Sequence, residues 1–486
     1  MRAFGAARGG KERGTIRGMR FTPALALLVA LSAAASAQTP AAQPLSDEET
    51  LRHFQAIVRM NSTDPPGNEK PVVEYLKGVL EAEGIPVETF AVEPNRPNLV
   101  ARLRGSGKKK PLLMMGHSDT VNIDEKKWTE PPFSAARTGG YIYGRGTVDD
   151  KDNVIAGLMT LLSLKRRNVP LDRDVILLVE AGEEGTTRVG IKFMTEQNFQ
   201  KIDAEYCFAE GANVVRGGGA VKFAGVQTLE KIPRAIELTA RGVSGHASVP
   251  LRANAVVRLS AAVAKIGAWK PEVRLNDTTR AYFTRLASVT SGEESARYKA
   301  VVSGDARAIE AADEWFLTNE PRTASTLRTS VSPTMLSGGY RVNVIPSEAK
   351  ATLDVRTLPD EDPARFLDIV RGVIGDPSVE VAYASRDVRP AFTATRLDSE
   401  AMVAIEAAVK KNYNTTMIPM MSTGATDMSY LRAKGMQCYG IGPGLDAEDG
   451  PKGYGAHSDQ ERILESELYR FVRFQHDVVE SLARAR

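Results

Sequence analysis

The sequence predicts an α/β protein built on a mainly parallel sheet, with a smaller α+β segment inserted into it. Three observations carry this. Short apolar runs with strand character alternate with helical patterns through the first half of the chain and again near its end. Acid- and histidine-bearing clusters follow directly on several of those runs. Between the two stretches lies a block with its own mix of alternating strands and amphipathic helices. At 486 residues the chain exceeds the size at which a single core keeps growing, so more than one domain is expected.

Residues 1–37 read as a secretory signal peptide. Six Lys/Arg precede an apolar run over 24–31, which leads into Ala35-Ser36-Ala37. That run is too short to span a bilayer. Export to the periplasm or the extracellular space is expected, with no membrane association after cleavage; translation starts at Met1 or Met19. Removing this segment takes the formal net charge from +3 to −2. The basicity belongs to the export signal, and nothing recommends a nucleic-acid partner.

Residues 38–231 form the first part of the main domain. A flexible lead covers 38–48, a helical pattern 48–60, and the turn-rich NSTDPPGNEK follows. Strands are predicted at 99–103, 112–115, 175–179 and 206–209. Val154, Ile155, Leu158, Leu161 and Leu162 repeat at helical spacing within 153–164. The inserted block is 232–385, with strands at 235–240, 347–355 and 379–384 and helices at 253–266 and 365–373. Its charged stretch 268–330 receives no element. Residues 386–486 return to the main domain through a helix at 399–411, a strand at 437–441 and a final helix at 465–482. Cys207 and Cys438 each lie in an apolar run and are expected to be buried free thiols.

Five polar clusters bear chemistry. They are His117 and Asp119 in LLMMGHSDT, Asp149-Asp150 in YGRGTVDDKD, Glu183-Glu184 in VEAGEEG, Glu210 in CFAEGAN, and His457 in GAHSDQE. Three of the five histidines (His117, His246, His457) lie within two residues of a glycine, a bias that core packing does not produce. In open parallel sheets, side chains at the carboxyl ends of strands converge on one crevice. Imidazoles and carboxylates without thiolates suit Zn²⁺, with Co²⁺ or Mn²⁺ as alternatives, and the set is large enough for two ions. An Asp between two metals would support hydrolysis: one ion polarises a carbonyl while the pair lowers the pKa of a shared water. A neighbouring free carboxylate would carry the proton to the leaving amine, and two consecutive glutamates could divide ligand and base between them.

These motifs, in this order from about Glu48 to the C-terminus, resemble the co-catalytic zinc hydrolase family of aminoacylase, glutamate carboxypeptidase, succinyl-diaminopimelate desuccinylase and carnosinase-like dipeptidases. The resemblance implies two Zn²⁺ per chain. His117 and Glu210 would hold one, Glu184 and His457 the other, with Asp149 bridging. Glu183 would be the general base and Asp119 the partner that orients His117; Asp150 need not be a ligand. The inserted block resembles the family's lid, or dimerisation, domain, which implies a homodimer. His246 in GVSGHAS matches a lid histidine that donates to the scissile carbonyl oxygen, commonly in the partner subunit's site. Asn343 in YRVNVIP and Arg356 in LDVRT match positions on the substrate's carboxylate side. Gly424 and Thr426 match a pocket-lining loop, where Asp427 has the alternative reading of a helix N-cap.

Two departures stand out. DTVNID replaces the family's usual D-V-V-P after His117, and Gln460 stands where H-x-x-N-E has Asn. The implied activity is hydrolysis of a peptide or N-acyl amide bond next to a free carboxylate, carboxypeptidase- or dipeptidase-like, with N-acyl-amino-acid deacylation as the alternative. A non-catalytic metal- or peptide-binding protein would have no use for a free base at Glu183. A single-domain aminopeptidase would lack the block around His246.

Overall fold

A computed structural model describes residues 9–14, 45–384 and 389–485. The export signal expected over 1–37 lies outside the described residues, apart from 9–14. No helix among the described residues is long and apolar enough to cross a membrane.

The main sheet has ten strands. From one edge it runs Val87–Ala91, Pro97–Leu103, Val175–Glu180, Leu112–His117, Tyr206–Ala209, Gln437–Gly440, Ala220–Glu230, Val214–Gly217 and Gly444–Asp446, and Met417–Ser422 also pairs with Ala220–Glu230. Its centre is parallel. Leu112–His117 pairs with both Val175–Glu180 and Tyr206–Ala209, and the latter with Gln437–Gly440. Parallel strands need crossover connections, which cover both sheet faces. Accordingly every residue of Leu112–His117 and Val175–Glu180 is buried, and their stretches 112–115 and 175–179 read in sequence as unbroken apolar runs. The helix Lys151–Arg166, buried from Lys151 to Leu164, packs against the sheet and against Glu465–Ala483. Cys207 and Cys438 face each other across adjacent strands; both are buried free thiols.

A second, four-stranded antiparallel sheet contains Ser330–Gly338, Glu348–Thr357, Ile232–Arg241 and Val379–Tyr383 in that order. Glu348–Thr357 alternates buried with partly exposed side chains at period two, so one face is covered. The helices Ala255–Ala268 and Pro363–Ile374 cover it, joining Ile236, Leu238, Leu353 and Val355 in one core.

Residues 268–330, left without an element in the sequence, hold four helices: Asp277–Val289, Gly292–Val301, Ala306–Asn319 and Pro321–Thr326. Local capping starts two of them. Asn276 and Thr279 form a reciprocal capping box, and the Asp305 carboxylate accepts from the Arg307 and Ala308 amides. Phe283, Leu286, Tyr298, Val301, Phe316 and Leu327 make a core that includes Ile418 of the Met417–Ser422 strand. The helices therefore dock on the main sheet, beside the strand that leads into Gly424. Arg285 Nη1 donates to the Met417 carbonyl at 2.7 Å, and the Thr228 and Thr278 hydroxyls meet at 3.1 Å, which pins this docking further.

Candidate active site

The parallel centre of the sheet delivers the polar clusters to one end. His117 is the last residue of its strand, and Glu183-Glu184 follow Val175–Glu180 after a turn at Gly182, whose φ of +75° is one that side chains other than glycine rarely adopt. The Asp119 carboxylate accepts from the backbone amides of Glu183 at 3.2 Å and Glu184 at 2.9 Å. It thereby fixes the turn from which two adjacent carboxylates diverge.

One of them, Glu184, reaches His457 Nε2 at 3.0 Å. The same His457 nitrogen lies 3.1 Å from Asp149 Oδ2, while His117 Nε2 lies 2.9 Å from Asp149 Oδ1. Asp149 thus stands between the two imidazoles, one oxygen toward each. Glu183 instead joins His117 and Glu210, with ligand-type atoms within 4.8 Å of one another, as they are among His117, Asp149 and Glu184. His457 holds φ at +62°, a left-handed conformation that a non-glycine residue keeps only where its surroundings demand it.

The His117 tautomer follows from its neighbours. Nδ1 lies 3.0 Å from the Asp119 carbonyl and 3.5 Å from its carboxylate, so Nδ1 donates to Asp119 and the ring is held with Nε2 directed at Asp149. Asp119 meets His117 chiefly through its backbone oxygen, while its carboxylate holds the glutamate turn. Asp150 takes another part. Joined to Asp149 by a cis peptide bond, it accepts from the His117 amide at 3.2 Å and from Asn153 Nδ2 at 2.6 Å.

The electrostatics are those of crowded acids. Burial pushes the Asp150 carboxyl up to about 7, against the pull of His117. Burial, reinforced by Asp427, holds Glu183 well above the usual carboxylate range; burial, reinforced by Glu183 and Asp149, does the same for Glu210. Asp149 goes the other way: burial is outweighed by the His117 and His457 rings, which pull it far down. For His457, the hydrogen bonds to Asp149 and Glu184 lift the ring to about 10. With no thiol in the set, these nitrogen and oxygen donors fit divalent cations of borderline or hard character.

A third acidic group, Asp64, Glu69 and Asp119, is of another kind. Arg96 Nη2 lies 2.5 Å from Asp64 and 2.6 Å from Glu69, so a guanidinium already pairs with two of its three carboxylates. Behind the final motif, buried Glu461 pairs with Arg145 at 2.6 Å and accepts from the Val148 amide at 2.9 Å, bracing the loop that carries Asp149. Gln460 ties Thr129 and Lys127 of the neighbouring loop.

The expected substrate residues divide. Arg356 and Gly424 line a cavity of about 680 Å³ that also contains Asp149 and His457. Arg356 is at the same time forked onto Asp354 at 2.8 and 3.1 Å. His246 and Asn343 lie together in a different cavity of about 650 Å³, between the paired strands Gly245–His246 and Val344–Ile345. Ser248 places both its amide and its hydroxyl on His246 Nδ1, which leaves the proton on Nε2. Thr426 is buried and its hydroxyl donates to Glu230 at 2.7 Å, so that group is committed inside the protein. Asp427 occupies the N-cap position of Met428–Ala433 without capping it; its carboxylate lies 3.0 Å from Arg389. Arg389, which also reaches Glu183 at 3.5 Å, has no signal in the sequence because its partners come from two distant loops.

A family model described as Peptidase family M20/M25/M40 matches residues 113–481. The chain belongs to that family. Its M20 relatives include a probable carboxypeptidase S-like 2 of Dictyostelium discoideum, 30% identical over 290 residues, covering 58% of this chain and 54% of that protein. An N-fatty-acyl-amino acid synthase/hydrolase of Xenopus tropicalis is 29% identical over 277 residues, 56% of this chain and 53% of that one. The match thus spans about half the length of each. Aminoacylase-1 of Mus musculus is 24% identical over 405 residues, 82% of this chain and 88% of that one. Among solved structures, the M20 family metallo-carboxypeptidase of Sulfolobus solfataricus aligns with a TM-score of 0.64 at 20% identity, covering 89% of this chain and 99% of that one. Human carnosine dipeptidase 1 gives 0.60 at 14%, covering 90% and 97%. These likenesses establish the fold, and the family is the one the motifs resemble.

Asp119→Asn keeps the shape of the side chain but turns one acceptor into a donor facing a backbone amide. Metal affinity, measured by competition with a chelator, is expected to fall about 10- to 100-fold. An unchanged affinity would show that the turn needs no carboxylate behind it.

Proposed function

We propose that the chain is an exported hydrolase that holds two divalent ions, Zn²⁺ suiting the donor set best, and cleaves a peptide or N-acyl amide bond next to a free carboxylate. Glu183 carries this reading. It lies beside His117 and Glu210, its one side-chain hydrogen-bond partner among the described residues is Arg389 at 3.5 Å, and burial with Asp427 beside it raises its proton affinity. A purely binding site has no need of such a group. Glu183 takes the proton of the attacking water and returns it to the leaving amine. His117 and Glu210 hold one side of the site, Glu184 and His457 the other, and Asp149 serves both. A divalent pair, when bound, supplies the Lewis acidity that polarises the scissile carbonyl and acidifies that water.

Among the described residues His246 Nε2–H has no acceptor, which suits it to the oxygen on which charge develops. It lines a lid cavity separate from its own chain's acid cluster, which favours delivery to a second copy and hence a homodimer through the lid. N-acyl-amino-acid deacylation is a second reading. Met420, Met421 and Tyr282 give the 680 Å³ cavity room for an apolar acyl chain, and relatives named as aminoacylase and N-fatty-acyl-amino acid hydrolase support it.

Purified protein loaded with Zn²⁺ is expected to hydrolyse members of a panel of dipeptides and N-acyl amino acids and to lose this activity in chelator. Glu183→Gln should lower turnover by at least ~10²-fold while keeping its metal. Silence across the panel, or a Glu183→Gln protein as fast as the wild type, would sink the reading. Dimer sharing has its own test. His246→Ala should lower kcat by ~10²-fold or more, and mixing it with Glu183→Gln under subunit exchange should restore activity, because one site of the mixed dimer keeps both groups. No rescue despite exchange would assign His246 to its own chain.

A further inference from the structure

We propose that Arg322, carried by the helical insert, receives the substrate's free carboxylate in this cleft, with the Tyr282 hydroxyl beside it. This deepens the hydrolase reading above and rests on it.

The cavity that contains Asp149 and His457 is walled on another side by Thr279, Tyr282, Arg322, Thr323 and Thr326, all from the insert. Two guanidinium groups line it, Arg322 and Arg356. They differ in one respect. Arg356 is forked onto Asp354 through two nitrogens, so an incoming carboxylate there competes with one already in place. Arg322 has no carboxylate within ion-pair distance among the described residues, and nearby Glu320 accepts from the Thr323 hydroxyl at 2.9 Å. Arg322 is exposed, as an arginine on an outer helix ordinarily is, and it also lines the cavity that holds Asp149 and His457, where an unpaired fork matches a carboxylate in shape and charge.

Tyr282 adds a donor. It is half-buried, it makes no hydrogen bond among the described residues, and burial pushes its phenol up to about 12, so it keeps its proton at neutral pH. Position is fixed by packing. Phe283, next to Tyr282, is buried against Tyr298 and Phe316. The short helix of Arg322 is anchored by buried Ala324 and Leu327, and by Lys231 Nζ donating to Ser325 Oγ at 3.1 Å. Of the two guanidinium groups on the cavity wall, Arg322 is the one without a carboxylate partner among the described residues, which gives an incoming carboxylate one end of the cavity to settle at.

Calorimetric titration in the metal-loaded Glu183→Gln background, with N-acetylmethionine and its carboxamide as probes, separates this proposal from the hydrolase reading because it needs no turnover. The acid is expected to bind more tightly than the carboxamide. Arg322→Gln should weaken the acid about 10- to 100-fold, the range for a charge-assisted hydrogen bond, and leave the carboxamide and the metal content unchanged; Arg322→Lys should recover part of the loss. In turnover by the otherwise wild-type protein, the same change should appear in KM more than in kcat. Equal affinity for the two probes, no binding of either, or an acid preference that survives Arg322→Gln but not Arg356→Gln would overturn the proposal. Failure of wild-type hydrolysis alone would overturn the reading of the site and leave the binding result to decide Arg322.

Discussion

Asp119, Asp149, Asp150, Glu183, Glu184 and Glu210 converge around two imidazoles at the end of the central strands, and so many carboxylates in a largely buried volume cannot all be anions without cations among them. The protein supplies few. Arg389 serves Glu183 and Asp427, and Lys151 is itself pushed down to about 7 by burial, its ammonium turned to the Met60 carbonyl. Without further positive charge the acids must hold protons, which is what the raised Asp150, Glu183 and Glu210 express. Two divalent cations resolve the same crowding while leaving the carboxylates ionised.

The rest of the structure keeps this unfavourable cluster assembled. Behind the Glu183-Glu184 turn, Arg96 joins Asp64 and Glu69 in a buried ion cluster. Gly185 lies so close to it that a Cβ there would stand 2.2 Å from Asp64 Oδ2. Removing one partner of such a buried group strands a charge and costs about 3–5 kcal/mol. The turn, Asp119 and the Arg96 cluster thus form one stack, and the glutamates keep their separate directions because none of it can relax alone.

The parts legible in sequence are those governed by local rules. Strands such as Leu112–His117 and Val175–Glu180 read clearly because burial on both faces leaves them apolar up to their last residue. His117, Glu183, Glu184 and Glu210 read clearly because polar residues in short turns after such strands have few other uses. The insert is not legible: its helices expose charged faces, and their caps, the Asn276–Thr279 box and Asp305, are short local signals that also occur in turns. Arg389, Arg322 and Tyr282 depend on neighbours far away in sequence. Thr426 shows what the sequence hides about a side chain's partner. It sits in a loop that resembles a pocket edge, yet buried Glu230 demands donors and takes the hydroxyl.

The central claim is that the acid cluster exists to be neutralised by metal, and it is tested most directly by counting ions. Native mass spectrometry of protein dialysed against metal-free buffer after Zn²⁺ loading should show about two ions retained per chain. A folded chain that retains none, with the cluster residues intact, would contradict the account.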